Sequence, residues 1–270
     1  MAAVSPRPQT TRRRVTAVVH RPDHQAVLLD LPGFQRPADT LTERMQASVD
    51  SALADCDGAL LVLNAAEAMG AGDRFIAKRL RAVGLPTIVV VNQVDRVDPS
   101  AIASAIEAAA PLVELVALHP VSALTGDGLD ALAADLPTLL PEGPRYFPEG
   151  IFTDQSDEEL AGELIREAAL ERVRQEIPHA LAVQIDEIED MDRPDPEGRP
   201  QRRIRASILV EHQSQKAIVV GARGAMVRDI GTSARATLGR VWGVTVHLDL
   251  VVKVRTRWRR DESMLRRLGL

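Results

Sequence analysis

Four short stretches of this 270-residue sequence carry residue types that could handle nucleotides. Asp30-Leu31-Pro32-Gly33 closes an apolar run, where a carboxylate can enter a Mg²⁺ shell and a flexible glycine can offer its N–H to a phosphate oxygen. Taken alone, an Asp-x-Pro-Gly turn is ordinary loop chemistry. Asn92-Gln93-Val94-Asp95 ends another apolar run. An aspartate there can accept two hydrogen bonds from the N1–H and N2 amine of guanine, which adenine cannot supply, while Asn92 braces the neighbouring loops. Val121-Ser122-Ala123-Leu124-Thr125-Gly126 follows a third run and offers a backbone N–H near Ala123 to the guanine O6. Gly221-Ala222-Arg223-Gly224 joins two helical patterns, with Arg228, Arg235 and Arg240 downstream at roughly helical spacing. A lone Gly-x-x-Gly is usually a turn. Placed between helices, it lets the backbone approach a sugar-phosphate chain, and its second glycine opens a helix whose N–H groups attract phosphate.

The elements that must position these residues alternate. Short β-rich runs at Val15 to Val19 and Gln25 to Asp30 flank a turn at Arg21-Pro22-Asp23-His24. Apolar strands at 59–63, 87–91 and up to Val121 then alternate with helices at 39–55, 72–83, 99–110 and 126–140. Strands with little internal alternation, separated by amphipathic helices, predict a mostly parallel sheet covered on both faces, with its ligand crevice at the carboxyl ends of the strands. The Pro- and Gly-rich stretch 143–152 reads as a linker. Beyond it, a capping box at Ser156-Asp157-Glu158-Glu159 opens a helix expected to run to about Glu176. The order continues as two antiparallel strands around a polar loop at 190–200, two helices and a last strand at 244–254. The predicted domains are 1–142, an α/β domain, and 153–270, an α+β domain.

Composition narrows the function class. The 45% apolar content can bury a core, no run approaches the ~20 apolar residues of a membrane span, and the start does not read as a signal peptide, so an intracellular soluble protein is expected. Six scattered histidines and one cysteine lack metal-ligand spacing, and Cys56 is expected in the core behind Leu41, Met45, Val49 and Ala52. The net charge of -5 hides an asymmetry: residues 151–198 hold 4 basic and 15 acidic residues, and residues 199–270 hold 16 basic and 5 acidic. A net +11 at the C-terminal end points to a polyanion partner there. The acidic crowd Asp186, Glu187, Glu189, Asp190 and Asp192 reads as a solvated strand end. Lys253, Arg255, Arg257, Arg259 and Arg260 read as an RNA contact or a surface rim.

Together, the three loop motifs, in this order at strand ends, resemble the third, fourth and fifth guanine-nucleotide motifs of translation-factor-type GTPases. Pro8-Gln9-Thr10-Thr11-Arg12 resembles switch I of the Era family, and the second domain resembles that family's type II KH module. The resemblance implies a P-loop GTPase-like sheet followed by a KH domain. It implies a cytoplasmic monomer, with peripheral membrane association, that binds the 3′ end of 16S rRNA, assists small-subunit assembly, and uses GTP or GDP with Mg²⁺. Residue by residue, it assigns Thr11 and Asp30 to the metal, and Thr10, Thr11, Asp30 and Gly33 to the switches. Asn92, Gln93, Asp95, Ser122 and Ala123 go to the nucleotide, and Gly221, Ala222, Arg223, Gly224 and Arg228 to RNA. Phe34 stands where Ras-like proteins keep a catalytic glutamine, so the attacking water must be oriented by other groups.

Three departures matter. Leu31 replaces a threonine, Gln93 replaces a lysine, and no Gly-x-x-x-x-Gly-Lys-Ser/Thr occurs anywhere in the 270 residues. That motif supplies the backbone cradle and lysine for phosphates. Alignment on switch I places the family's first strand and P-loop ahead of Met1, which leads to the expectation that the sequence starts downstream of the true start. On this expectation the chain binds nucleotide weakly and is inactive alone. The alternative is an RNA-binding KH protein with a pseudo-GTPase scaffold.

Overall fold

The computed structural model describes residues 11–34, 37–173 and 177–270. Its elements run β1 (Val15–His20), β2 (Gln25–Asp30), α1 (Thr40–Asp55), β3 (Ala59–Asn64), α2 (Ala71–Val83), β4 (Pro86–Asn92), α3 (Pro99–Ala109), β5 (Glu114–Pro120) and α4 (Leu129–Asp135). They continue as α5 (Asp157–Leu170), α6 (Ile177–Ala180), β6 (Ala182–Met191), β7 (Gln201–Val210), α7 (Gln213–Val220), α8 (Ala225–Trp242), β8 (Thr245–Val254) and α9 (Glu262–Arg267). They pack as two compact units. Of the described residues, one comprises Val18–Leu28 and Val49–Phe152, the other those up to Ala17, from Leu29 to Ser48 and from Thr153 to Leu270.

In the first unit, β3, β4 and β5 form a parallel sheet in that order, with Leu61 opposite Val89 and Val90 opposite His119. Strand β4 is apolar on both faces, and Ile88, Val89 and Val91 are fully buried, as a strand covered by helices on two sides requires. Helix α2 begins where Asp73 accepts the N–H of Gly70 (2.8 Å) and stops at Gly84 in the left-handed conformation. The turn between β1 and β2 is closed by Arg21 N–H to His24 O (3.0 Å). The Pro/Gly stretch is tied down: Gln25 accepts from the amides of Tyr146 and Phe147 and donates to Phe147 O, while Arg145 donates to the carbonyls of Arg21 and Pro22. Cys56 lies just past the end of α1 and is half-buried instead of sealed in the core. The helical pattern that pointed it inward stops one residue earlier.

The second unit has the order α5, α6, β6, β7, α7, α8, β8. Strands β6 and β7 are antiparallel, and β7 and β8 are parallel. The capping box is present, with Ser156 Oγ accepting from Glu159 N and Glu159 Oε2 from Ser156 N. Helix α5 ends at Leu170, earlier than expected, with Arg172 N–H making a tighter three-residue bond to Ala169 O just past its end. One face of the sheet buries Ile204, Ala206 and Ile208 against Ile165, Ala169, Ile230 and Leu238. A second cluster joins Leu41 and Met45 of α1 to Leu209, Trp258, Met264 and Leu265.

The strand register shows what the acidic residues of this unit meet. Three acidic residues of β6 meet cross-strand partners: Glu187 pairs with Arg205, Asp190 with Arg202, and Asp186 accepts from Ser207 Oγ (2.6 Å). The strand end is solvated, as expected: Asp186, Glu187, Glu189, Asp190 and Asp192 are all exposed, and Arg205 and Arg202 offset two of their charges. In the loop between β6 and β7, Asp195 accepts from Thr245 Oγ1, from the amides of Glu197 and Arg199, and from Arg199 Nε. These donors, Thr245 foremost, hold its carboxyl far below the usual range. A depressed folded-state pKa stabilises above the unfolded value of about 4 and loses that contribution as pH falls below it. The urea midpoint of Asp195→Asn is therefore expected to fall less steeply than wild type between about pH 4 and pH 2. Parallel slopes would rule out this linkage.

Candidate functional site

The guanine-type motifs occupy the carboxyl ends of the parallel strands. Asn92 is the last residue of β4, and its Oδ1 accepts from the amides of Gln93 (2.8 Å) and Ala123 (3.0 Å). One side chain thus clasps two loops. The Ala123 amide, the candidate donor to guanine O6, is engaged in that clasp. Ser122 is fully buried and accepts from Thr125 N (3.1 Å). The loop's return depends on Gly128, whose φ is 76° and where a Cβ would lie 2.3 Å from Pro120 O. Gln93 holds a left-handed backbone (φ 67°, ψ 34°), opening a 3₁₀ turn over Val94–Arg96. Asp95 is exposed on that turn, and its carboxylate has no hydrogen-bond or ionic partner among the described residues.

The candidate metal residues belong to the other unit. Thr11 Oγ1 donates to Asp30 Oδ2 at 3.0 Å. Burial raises the Asp30 carboxyl above its usual range, and the Thr11 hydrogen bond pulls against it. Two hard oxygens about this far apart match adjacent ligands of octahedral Mg²⁺ at ~2.1 Å, so the donor set fits the ion. Among the described residues no group of three or more His, Cys, Asp or Glu could hold a metal. Gly33 and Phe34 are half-buried just past β2, and Thr10 lies outside the described residues.

Arg12, the neighbour of Thr11, points inward. Its guanidinium donates to Leu181 O (2.6 Å) and Pro178 O (2.8 Å) and lies 5.6 Å from the Trp258 ring centre. Burial, with Arg166 and Arg259 close by, lowers it to about 9, which leaves it cationic at neutral pH. Asp39, just before α1, pairs with Arg259 (2.7 Å). Arg259 is therefore a structural cation, whereas Arg255, Arg257 and Arg260 are exposed and without ion pairs among the described residues.

The Gly221 loop connects α7 to α8. Gly221 takes φ 72°, ψ 176°, and Arg223 takes φ 51°, ψ 29°. Gly224 then opens α8, so that helix's free N–H groups face the loop. Beside it runs a groove of about 370 Å³ lined by Arg228, Gly231 and Arg235 of α8 and Leu248 and Leu250 of β8. Arg223, Arg228 and Arg235 are exposed and without ion pairs among the described residues. Three free cations beside a narrow apolar floor suit an extended single strand with its phosphates along the helix. Sequence reading did not find the groove's apolar side. The signal was there in Val227 and Gly231, one turn apart and facing β8.

Comparison with known proteins accounts for both halves. A family model described as the Elongation factor Tu GTP binding domain matches residues 8–142, and one described as the KH domain matches 176–259. GTPase Era of Mycobacterium tuberculosis (strain H37Rv) is 43% identical over the whole of this chain and 90% of its own length. GTPase Era of Mycobacterium sp. (strain KMS) is also 43% identical, with the same coverage. Among solved structures, Era in complex with MgGDPNP and nucleotides 1506–1542 of 16S ribosomal RNA superposes with a TM-score of 0.89 at 33% identity. The match covers 99% of this chain and 89% of that one. A point variant of Aquifex aeolicus Era bound to GDP and AlF4⁻ gives the same score and identity over 99% and 90%. With matches to a GTP-binding domain and a KH domain and 43% identity over its whole length, the chain belongs to the Era family of GTPases.

Proposed function

We propose that this chain binds the 3′ end of small-subunit rRNA through the Gly221 loop and its groove, under the control of guanine nucleotide, and serves small ribosomal subunit assembly. The observation that carries the reading is the loop itself, with its three unpaired arginines, in a chain of which 99% superposes on an Era solved with 16S rRNA. Asp95 accepts the guanine edge. Thr11 and Asp30 hold the Mg²⁺, which when bound supplies charge neutralisation at the phosphates. Its place of action is the cytoplasm, as a monomer with peripheral membrane association. Among the described residues no helix is long and apolar enough to cross a membrane.

Hydrolysis is a separate matter. The phosphate cradle supplies most of the electrostatic stabilisation in phosphoryl transfer, and these 270 residues contain no Gly-Lys pair. A polypeptide of these residues is expected to bind RNA and turn over no GTP. The second reading is an RNA-binding protein with a nucleotide-incompetent scaffold.

The test is fluorescence anisotropy with a labelled 3′-terminal rRNA oligonucleotide, with and without GDP and Mg²⁺. Arg223→Asp places a negative charge where a phosphate is read, so affinity at about 0.1 M salt is expected to fall tenfold or more, with a shallower salt dependence. Unchanged binding would remove the loop from the interface. A nucleotide effect on RNA affinity separates the first reading from the second.

A further inference from the structure

The turn that carries Asp95 holds a second group the motif does not predict. Gln93 Oε1 accepts from Arg96 Nη1 at 2.9 Å, and Arg96 N–H donates to Gln93 O at 3.1 Å. The two residues are therefore joined through both backbone and side chain, with Asp95 between them in sequence. Gln93 is itself fixed from the other side by the Asn92 clasp, which fastens its amide and the Ala123 loop to one oxygen. A glutamine in the left-handed region is strained, yet its carbonyl and side-chain oxygen are both used on Arg96. Arg96 is exposed, and these bonds leave most of its donors and both faces of the guanidinium available. A flat cation, tethered by a flat amide and within one turn of an unpartnered carboxylate, is a surface suited to a planar ring whose edge that carboxylate accepts.

We propose that Arg96, held in place by Gln93, is the stacking platform for the purine base and a determinant of guanine-nucleotide affinity. The proposal rests on the reading that Asp95 accepts the guanine edge. The guanidinium covers one face of the base, and tethering lowers the rotamer entropy that a free arginine would lose on binding. Gln93 then acts through Arg96, not on the base directly. Removing Gln93 frees the arginine without abolishing the platform.

The experiment titrates the full chain with GDP, read by calorimetry and by saturation-transfer NMR of the base protons, with ADP as the comparison. Arg96→Ala is expected to raise the Kd for GDP about tenfold and to reduce the saturation transfer to the base H8. Gln93→Ala is expected to raise the Kd about two- to threefold, and the double variant should match Arg96→Ala alone. Since Arg96 is exposed, the circular dichroism spectrum of its alanine variant is expected to be unchanged. If wild type binds GDP and Arg96→Ala binds it equally well, the platform is wrong while the Asp95 reading stands. Strictly additive single effects overturn the tether. If wild type shows no saturable GDP signal, or binds ADP as well as GDP, the guanine reading fails and the platform falls with it.

Discussion

Gly221→Ala is expected to lower affinity for the 3′-terminal rRNA oligonucleotide at least tenfold. Two costs coincide at this residue. Its φ of 72° with ψ of 176° is a region that residues with a Cβ essentially never occupy, at about 1–3 kcal/mol. The added methyl would also lie 2.7 Å from Met226 Cβ and 2.9 Å from Met226 N. The second contact is to backbone in the first turn of α8, which cannot swing aside like a side-chain tip, and overpacking of this kind costs about 1–3 kcal/mol more. The loop must open, carrying Arg223 and the amides at the start of α8 away from the strand. Gly224→Ala is the internal control: its φ is also positive, but nothing lies within 4 Å of the new methyl, so the loss there is expected to be smaller. Anisotropy titrations of the two variants decide the matter, and equal losses would show that packing against Met226 has no part in it.

Trp258→Ala is expected to have the largest effect on stability, about 3–5 kcal/mol out of a typical 5–15 kcal/mol. The indole is 1% exposed, packs with Leu41, Met45, Met264 and Leu265, and donates to Ala180 O at 2.9 Å. Its loss also bares the Arg12 guanidinium, whose burial depends on that ring and on two carbonyls. Trp258→Phe keeps a ring and loses only the N–H bond, so about 1 kcal/mol is expected. Urea unfolding of both variants measures the difference. A cost below 1 kcal/mol for the alanine variant would mean that the C-terminal residues are not part of the core. Amide exchange near residues 178–182 is expected to quicken along with the loss.

These two sites show where sequence reading succeeds and where it stops. The Gly221 loop was legible because its signal is local: two glycines, an arginine and flanking helical periods all lie within about twenty residues. The parallel sheet and the order from α5 to β8 were legible for the same reason, since strand and helix periods are written into adjacent positions. Arg12 was not. It looks like one member of a basic run, and its partners lie 166 and 169 residues away, with no periodicity to connect them. Trp258, Leu265 and Leu268 among arginines suggest a docking helix, but the sequence does not show that Leu41 and Met45 are what Trp258 and Leu265 pack against. Glu187 and Asp190 of β6 needed the register of β7 before their arginine partners could be named. At the guanine-type loops the sequence placed Asn92 and Asp95, but the Gln93–Arg96 bond depends on a left-handed backbone that glutamine rarely adopts.

The tail bears on how this protein can be taken apart. Residues 153–270 look like a module that could be cut free at the Pro/Gly stretch. Yet Arg12, Asp39, Leu41 and Met45, all far upstream, complete its packing around Trp258, Arg259, Met264 and Leu265. A fragment starting at residue 153 would retain the Gly221 loop but lose that lining, leaving an apolar face and the cation of Arg259 uncovered. Its RNA affinity and melting behaviour would describe the damaged piece, not the module within the whole chain. A minimal RNA-binding unit would have to be assembled from three separate stretches of sequence, for example by adding residues 11–17 and 29–48 in trans.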